Sequence, residues 1–294
     1  MTSFKPIANP SRTAQIMKDH GIVMKKSLGQ NFLTEPNILR RMVDVAEVDK
    51  ETTVIEIGPG IGALTEFLAR SAKEVFAFEI DDRFVSILKD TLSPYSNVQV
   101  IAQDILSVDF SDPVYQNLQR ADRLIVVANL PYYITTPIIM HLIDSPLAFD
   151  SLVMMMQKEV AERMTAQVGT KAYNSLTLAI QLQMEAHLAF VVPKTVFIPK
   201  PKVDSAVLTL TRLKEPPVQV ADRQEFQQMV QAAFRQRRKT LWNNFRHSDL
   251  SWLKDQDLDH IQGAFERVRI DPRRRAESLS LEEFANLYDS MRQV

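Results

Sequence analysis

Between residues 53 and 157, short apolar runs alternate with segments whose apolar positions recur every three or four residues. Thr53–Ile57, Val75–Glu79, Val98–Ala102, Leu124–Ala128 and Leu152–Met156 predict strands. Leu124–Ala128 is apolar throughout, as a strand covered on both faces must be. Ala63–Arg70, Phe84–Leu92, Pro137–Ile143, Glu159–Ala166 and Ser175–Glu185 predict helices, and a further helix starts near Pro36, a residue suited to a first turn. This alternation implies an α/β architecture, a mainly parallel sheet with helices on both faces. Leu188–Val192 and Ser205–Leu210 predict two more strands, joined by about a dozen residues that include Pro193, Pro199 and Pro201. That connection is too short for a helical crossover, so this pair is expected to be antiparallel.

Lys214-Glu215-Pro216-Pro217 reads as a linker, after which the pattern becomes all-helical. The helices are Glu225–Phe234, Leu241–Phe245, Leu253–Ile261 and a last one opened by Ser280 with Glu283 three residues on, a capping box. Pro6, Pro10 and scattered lysines make residues 1–30 a basic arm. The expected organisation is therefore an arm (1–30), an α/β domain (31–213) and a helical domain (214–294). No apolar run is long enough to cross a bilayer and no secretory signal is evident, so a membrane role is not expected. The absence of cysteine excludes disulfides, thiolate chemistry and cysteine zinc sites, and suits a cytoplasmic location. The five histidines have no metal-binding spacing, so no metal is expected. Net charge is only -1, but it is unevenly spread: residues 1–30 carry +4, 31–193 carry -9 and 194–294 carry +4. Basic ends around an acidic middle point to a polyanionic partner reached by the ends.

Three of the seven glycines fall in Gly58-Pro59-Gly60-Ile61-Gly62, between a strand and a helix. Gly58 and Gly60 allow a tight turn and close approach of a ligand at the end of the first strand. Glu79 ends the next strand, where a carboxylate can accept from both ribose hydroxyls of a nucleoside cofactor. Asp104 ends the third strand and can accept from an adenine amine. The neighbours Ile80 and Ile105 complete this cofactor set. The glycine pattern is shared with nicotinamide enzymes. Glu56, two residues before the glycines, and the fourth-strand motif favour a methyl donor instead.

Asn129-Leu130-Pro131-Tyr132 follows the fourth strand. It resembles the signature of methyltransferases that act on planar exocyclic amines. With its continuation Tyr133-Ile134-Thr135-Thr136-Pro137, the opening segment Ser27–Leu33, the segment Met156–Arg163 and the late segment Phe197–Ser205, the chain resembles the ribosomal RNA adenine N6-dimethyltransferases from about residue 25 to 210. The resemblance implies a Rossmann-like class I methyltransferase fold with seven strands, one of them antiparallel, and a small helical C-terminal domain. It implies S-adenosylmethionine as cofactor. It also implies dimethylation of two adjacent adenosines near the 3′ end of 16S rRNA, within the small subunit and linked to its biogenesis. Asn31 and Leu33 are placed over the methionine end of the cofactor by the same resemblance.

Adenine N6 is a poor nucleophile because its lone pair is delocalised into the ring. The Asn129 side-chain oxygen and the Leu130 carbonyl can accept its hydrogens and favour a tetrahedral nitrogen, and they bind the developing cation better than the ground state. Pro131 fixes the backbone that aims these acceptors. Tyr132 is expected to stack on the extruded base, with Phe197 on its other face. Asn129 also borders the cofactor.

Arg235-Gln236-Arg237-Arg238-Lys239, Arg267-Val268-Arg269 and Arg273-Arg274-Arg275 are the densest basic clusters, with Trp242 and Phe245 nearby. They are expected to contact rRNA phosphates, with Lys25 and Lys26 guiding RNA to the cleft. Nothing in the sequence calls for an oligomer, so a monomer is expected. Two other readings remain open: a large-subunit adenine dimethyltransferase of the macrolide-resistance type, and a non-catalytic assembly factor.

Overall fold

The computed structural model describes residues 5–22, 31–248, 250, 252 and 258–293. The chain forms two compact units, Met1–Ala161 with His187–Arg212, and Glu162–Ala186 with Leu213–Val294. Among the described residues, no helix is long and apolar enough to cross a membrane.

Among the described residues there are nine strands: β1 (Phe32–Leu33), β2 (Thr53–Ile57), β3 (Glu74–Glu79), β4 (Val98–Ala102), β5 (Leu124–Asn129), β6 (Ser151–Gln157), β7 (Met184–Val192), β8 (Phe197–Ile198) and β9 (Ser205–Arg212). Seven make one sheet in the order β4-β3-β2-β5-β6-β9-β7. The pairs from β4 to β6 are parallel, and β9 runs antiparallel to β6. The antiparallel strand anticipated from the short connection is therefore β9, inserted between β6 and β7. All five β2 positions are buried, which is what a strand covered on both faces requires.

Chain direction across the sheet changes at β2, since β3 and β4 lie on one side of it and β5 and β6 on the other. Ligands of open α/β sheets bind beyond the carboxyl ends of strands at such a switch point. The register aligns those ends: Ile57 pairs with Phe78 on β3 and with Ala128 on β5. Gly58, Glu79 and Asn129, each one residue further on, therefore emerge side by side. Glu79 pairs in turn with Ala102, which brings the turn at Asp104 to the same rim.

Several expectations need correction. The first concerns the arm. Pro10–Asp19 is a helix, with Pro10 in its first turn and the Asn9 side chain capping the Ser11 amide. Ile7, Thr13 and Ile16 are buried, and Ile7 and Ile16 share an apolar cluster with Phe32, Phe84 and Leu88. The tether is Glu66, whose side chain is fully buried. Its Oε2 accepts from the Ile7 amide at 2.7 Å, and its Oε1 accepts from Arg70 and from the Tyr95 hydroxyl, both at 3.0 Å. Arg12 lies 3.6 Å away. Glu66→Ala is expected to cost about 3 kcal/mol, the low end for breaking a buried ion pair, because both arginines are part-exposed. Urea unfolding and faster proteolysis before residue 22 would show it.

The second correction concerns the domain boundary. Glu162–Ala186, assigned from the sequence to the α/β domain, belongs to the helical unit. The Tyr173 hydroxyl donates to the Leu279 carbonyl at 2.9 Å, and the Gly169 amide donates to the Glu277 carbonyl at 2.8 Å. Leu178 and Leu182 are buried in the same core as Phe226, Phe265 and Tyr288. An apolar helix face does not reveal which core it joins. Within this stretch the helix runs Ser175–Gln181 and β7 already starts at Met184, so the expected helix to Glu185 was too long. The helix expected at Leu253–Ile261 is observed at Leu258–Arg267, and residues 253–257 lie outside the described residues.

Candidate active site

The turn after β2 runs Gly58-Pro59-Gly60, with φ of 67° at Gly58 and 59° at Gly60. This left-handed conformation favours glycine. A Cβ on Gly60 would lie 3.3 Å from the Phe32 ring, so the turn is also closely packed from below. Phe32 is held by β1, which pairs antiparallel with β8 through Phe32↔Ile198 and Leu33↔Phe197. Thr34 reinforces this pairing, its amide donating to the Val196 carbonyl at 2.9 Å. The opening and late motifs, remote in sequence, thus form one small ribbon beside the glycine turn.

Glu79 is tied down on both oxygens. Oε2 accepts from the Gly60 amide at 3.1 Å and Oε1 from the Asp81 amide at 2.9 Å. The Gln103 amide donates to the Glu79 carbonyl at 3.1 Å, and the Gln103 side-chain oxygen accepts from the Tyr115 hydroxyl at 2.6 Å. Asp104 accepts from the Leu106 amide at 3.0 Å, which fixes the turn that carries it. Burial pushes the Glu79 carboxyl above its ordinary range, opposed in part by the Asp81 and Gly60 amides. Glu56 is buried outright, and burial pushes its carboxyl up to about 8, with the Thr65 hydroxyl opposing and the Glu79 charge adding to the rise. The Glu56 Oε2 has no hydrogen-bond partner among the described residues.

On the other side of the cleft, the Leu130 amide donates to the Met155 carbonyl at 3.0 Å. The Pro131 carbonyl accepts from the Thr135 hydroxyl at 3.1 Å and the Ile134 amide at 3.3 Å. Tyr132 is anchored by a 2.7 Å hydrogen bond between its hydroxyl and that of Ser205, the first residue of β9. Burial raises the Tyr132 phenol, with Ser205 opposing and Asp204 adding, so the ring stays neutral.

Asn31, Leu33, Gly58, Gly60, Glu79, Ile80, Asp104 and Ile105 line one cleft, and Asn129, Leu130, Pro131, Tyr132 and Phe197 complete its wall. The cleft encloses about 1220 Å³ of empty space that opens to solvent. Every residue singled out from the sequence for cofactor or base is in it. Phe197 is also part of the apolar core with Leu33 and Val207. Phe32, Gln103 and Tyr133, to which the sequence assigned no site role, line the cleft too. Each is the immediate neighbour of a motif residue, which was the available signal. Tyr115 carried none, since only the fold brings it to Gln103.

The family model for ribosomal RNA adenine dimethylase matches residues 22–293. The chain belongs to that family. It is thus a ribosomal RNA adenine-dimethylating enzyme. The ribosomal RNA small subunit methyltransferase A of Enterococcus faecalis is 53% identical over 99% of this chain and 98% of its own. The protein of that name from Listeria monocytogenes is 54% identical, covering 96% of each. Among solved structures, a dimethyladenosine transferase from Plasmodium falciparum superposes with a TM-score of 0.72 at 28% identity, over 87% of this chain and 95% of that one. The 23S rRNA methyltransferase ErmE gives 0.65 at 26% identity, over 89% and 99%. The Rossmann-like architecture of these methyltransferases is the one described above.

In the helical unit, the Leu241 amide donates to the Arg274 carbonyl at 2.8 Å and the Trp242 amide to the Pro272 carbonyl at 3.0 Å. These bonds hold the start of the helix that follows the 235–239 cluster against the 272–274 segment. The arginines of the basic clusters are not equivalent. Arg274 is bound to both Glu283 oxygens, and Arg267 donates to Ser290 at its hydroxyl and carbonyl. Arg237 pairs with Glu277 at 2.7 Å and Arg273 with Asp271 at 3.1 Å. Arg238, Lys239 and Arg275 are exposed. Arg267 and Arg274 thus serve the fold, which the charge pattern alone did not distinguish. Lys25 and Lys26 lie outside the described residues.

Proposed function

We propose that this family member transfers methyl groups from S-adenosylmethionine to the N6 amine of adenine in small-subunit ribosomal RNA, at two adjacent adenosines near the 3′ end of 16S rRNA. The observation that carries this reading is the register that brings Gly58, Glu79 and Asn129 to one rim. The small-subunit assignment rests on the names of the relatives at 53% and 54% identity, against 26% for the large-subunit enzyme.

The residues fit the cofactor. Glu56 offers a buried carboxyl oxygen without a partner among the described residues, suited once ionised to the methionine ammonium, and Asn31 and Leu33 border that end. Glu79 accepts from the ribose hydroxyls, Asp104 accepts from the adenine amine, and Ile80 and Ile105 flank the ring. S-adenosylmethionine supplies a methyl group already activated on a sulfonium. Asn129 and the Leu130 carbonyl accept the hydrogens of the target N6, so its lone pair points at that methyl. Tyr132, neutral and anchored, stacks on the flipped base, with Phe197 opposite. Arg238, Lys239 and Arg275 contact rRNA phosphates. The enzyme acts as a cytoplasmic monomer.

Glu56 makes cofactor binding a proton-linked event. With its carboxyl at about 8, the free protein holds that proton at pH 7. A cation beside it favours the carboxylate and lowers the value, so binding releases up to about one proton. Affinity should therefore rise with pH between 6 and 8. Stability without ligand runs the opposite way: a carboxyl raised on folding weakens the fold as pH climbs from its unfolded value through 8. Calorimetry at pH 7 in buffers of different ionisation enthalpy measures the release, and Glu56→Gln should abolish it.

The substrate is tested by incubating the enzyme and labelled donor with unmodified small and large subunits, followed by nucleoside mass analysis. N6,N6-dimethyladenosine in the small subunit alone is the expected result. Label confined to the large subunit would transfer the chain to the macrolide-resistance branch, and no label on either would favour an assembly factor without catalysis.

A further inference from the structure

We propose that Tyr133 is a second stacking platform, a subsite for the base that flanks the target adenine in the RNA strand. The inference rests on the base-methylation reading above and adds to it a contact outside the pocket for the reacting base.

Tyr132 and Tyr133 are consecutive but differ in surroundings. Tyr132 is held inward by its hydrogen bond to the buried Ser205 hydroxyl. Tyr133 lines the same cleft yet is 59% exposed. The backbone around it is fixed rather than loose. The Leu130 amide is bound to the Met155 carbonyl, and Thr135, only 2% exposed, closes the turn by donating to the Pro131 carbonyl. A large aromatic ring is therefore held in solvent at the mouth of a cleft by a braced turn.

The chemistry of the strand supplies the occupant. Flipping one base breaks its stacking with the neighbours, and these remain covalently attached at the cleft mouth. An aromatic face there restores one stack without reading the base, because every base has a π-face. Tyr133 carries no charge to attract phosphate, so a base is the part of the nucleotide that it suits. The two adjacent tyrosines would thus receive two adjacent nucleotides, one inside and one at the rim.

The predicted signature is a loss of about 10-fold in kcat/KM for Tyr133→Ala, carried by KM, with Tyr133→Phe close to the parent. Cofactor affinity and thermal midpoint should not change, because the exposed ring supports neither. The deciding experiment uses small subunits reconstituted with 16S rRNA whose 3′ segment is ligated from synthetic RNA. One substrate carries every base, and two others carry an abasic ribose on the 5′ or the 3′ side of the target. The parent enzyme should lose on one abasic substrate what Tyr133→Ala loses on the complete one, and on that substrate the two proteins should be equal. A Tyr133→Ala enzyme equal to the parent on the complete substrate, or equally impaired on all three, would overturn the subsite. Failure of the parent itself to methylate the complete substrate would instead sink the proposed function.

Discussion

Replacing Asn129 with alanine is expected to lower kcat for methyl transfer by about 100- to 1,000-fold, the range seen when one preorganised polar group at a reacting centre is removed. The structure gives this variant an interpretable background. Asn129 ends β5, where its backbone is held by pairing with Met155. Its side chain makes no hydrogen bond to a described residue, so truncation leaves no buried partner stranded. Thermal stability and cofactor affinity should therefore change little, the affinity by less than about 10-fold if the side chain only borders the donor. Single-turnover methylation of small subunits at saturating donor measures the chemical step. A variant with normal single-turnover rate would remove Asn129 from the reaction, whatever its effect on binding.

Glu79→Ala should weaken cofactor binding by at least about 100-fold. Two hydrogen bonds from ribose to a charged acceptor are lost, each worth about 1.5–3 kcal/mol. The Gly60 and Asp81 amides lose their acceptor as well, and the glycine turn loses the bond that positions it. Glu79→Gln keeps one acceptor oxygen and should fall between, near 10-fold. Calorimetry with S-adenosylhomocysteine is the measurement. Unchanged affinity in the alanine variant would mean that the ribose lies elsewhere. Asn129→Ala and Glu79→Ala are expected to separate cleanly, one reducing turnover and the other affinity, although only β2 lies between the strands that carry them.

The cleft was largely legible before the structure because its parts sit at strand ends, and strand ends show in a sequence. Gly58–Gly62, Glu79, Asp104 and Asn129 each follow an apolar run, and a parallel register then makes them neighbours. Motif resemblance added Asn31, Leu33 and Phe197, which strand patterning could not have placed. Their proximity to the glycine turn depends on the short β1–β8 pairing, four residues in all, too brief to leave a periodic pattern. What stayed hidden depends on long-range partners. The Glu66 network looks like an ordinary helix charge until Ile7, Tyr95 and Arg12 arrive around it. Arg274 and Arg267 look like nucleic-acid contacts until Glu283 and Ser290 are seen to hold them. Glu162–Ala186 reads as part of the α/β alternation because amphipathic periodicity does not say which of two cores a helix faces.

The most direct test of the whole account is a crystal structure of the enzyme with S-adenosylhomocysteine and adenosine. It should place one ribose on Glu79 and the thioether sulfur beside Asn129, with the N6 of the second adenine between that sulfur and the Leu130 carbonyl and its ring against Tyr132. Ligand bound away from Gly58–Gly60, or a purine whose amine faces away from Asn129, would contradict it.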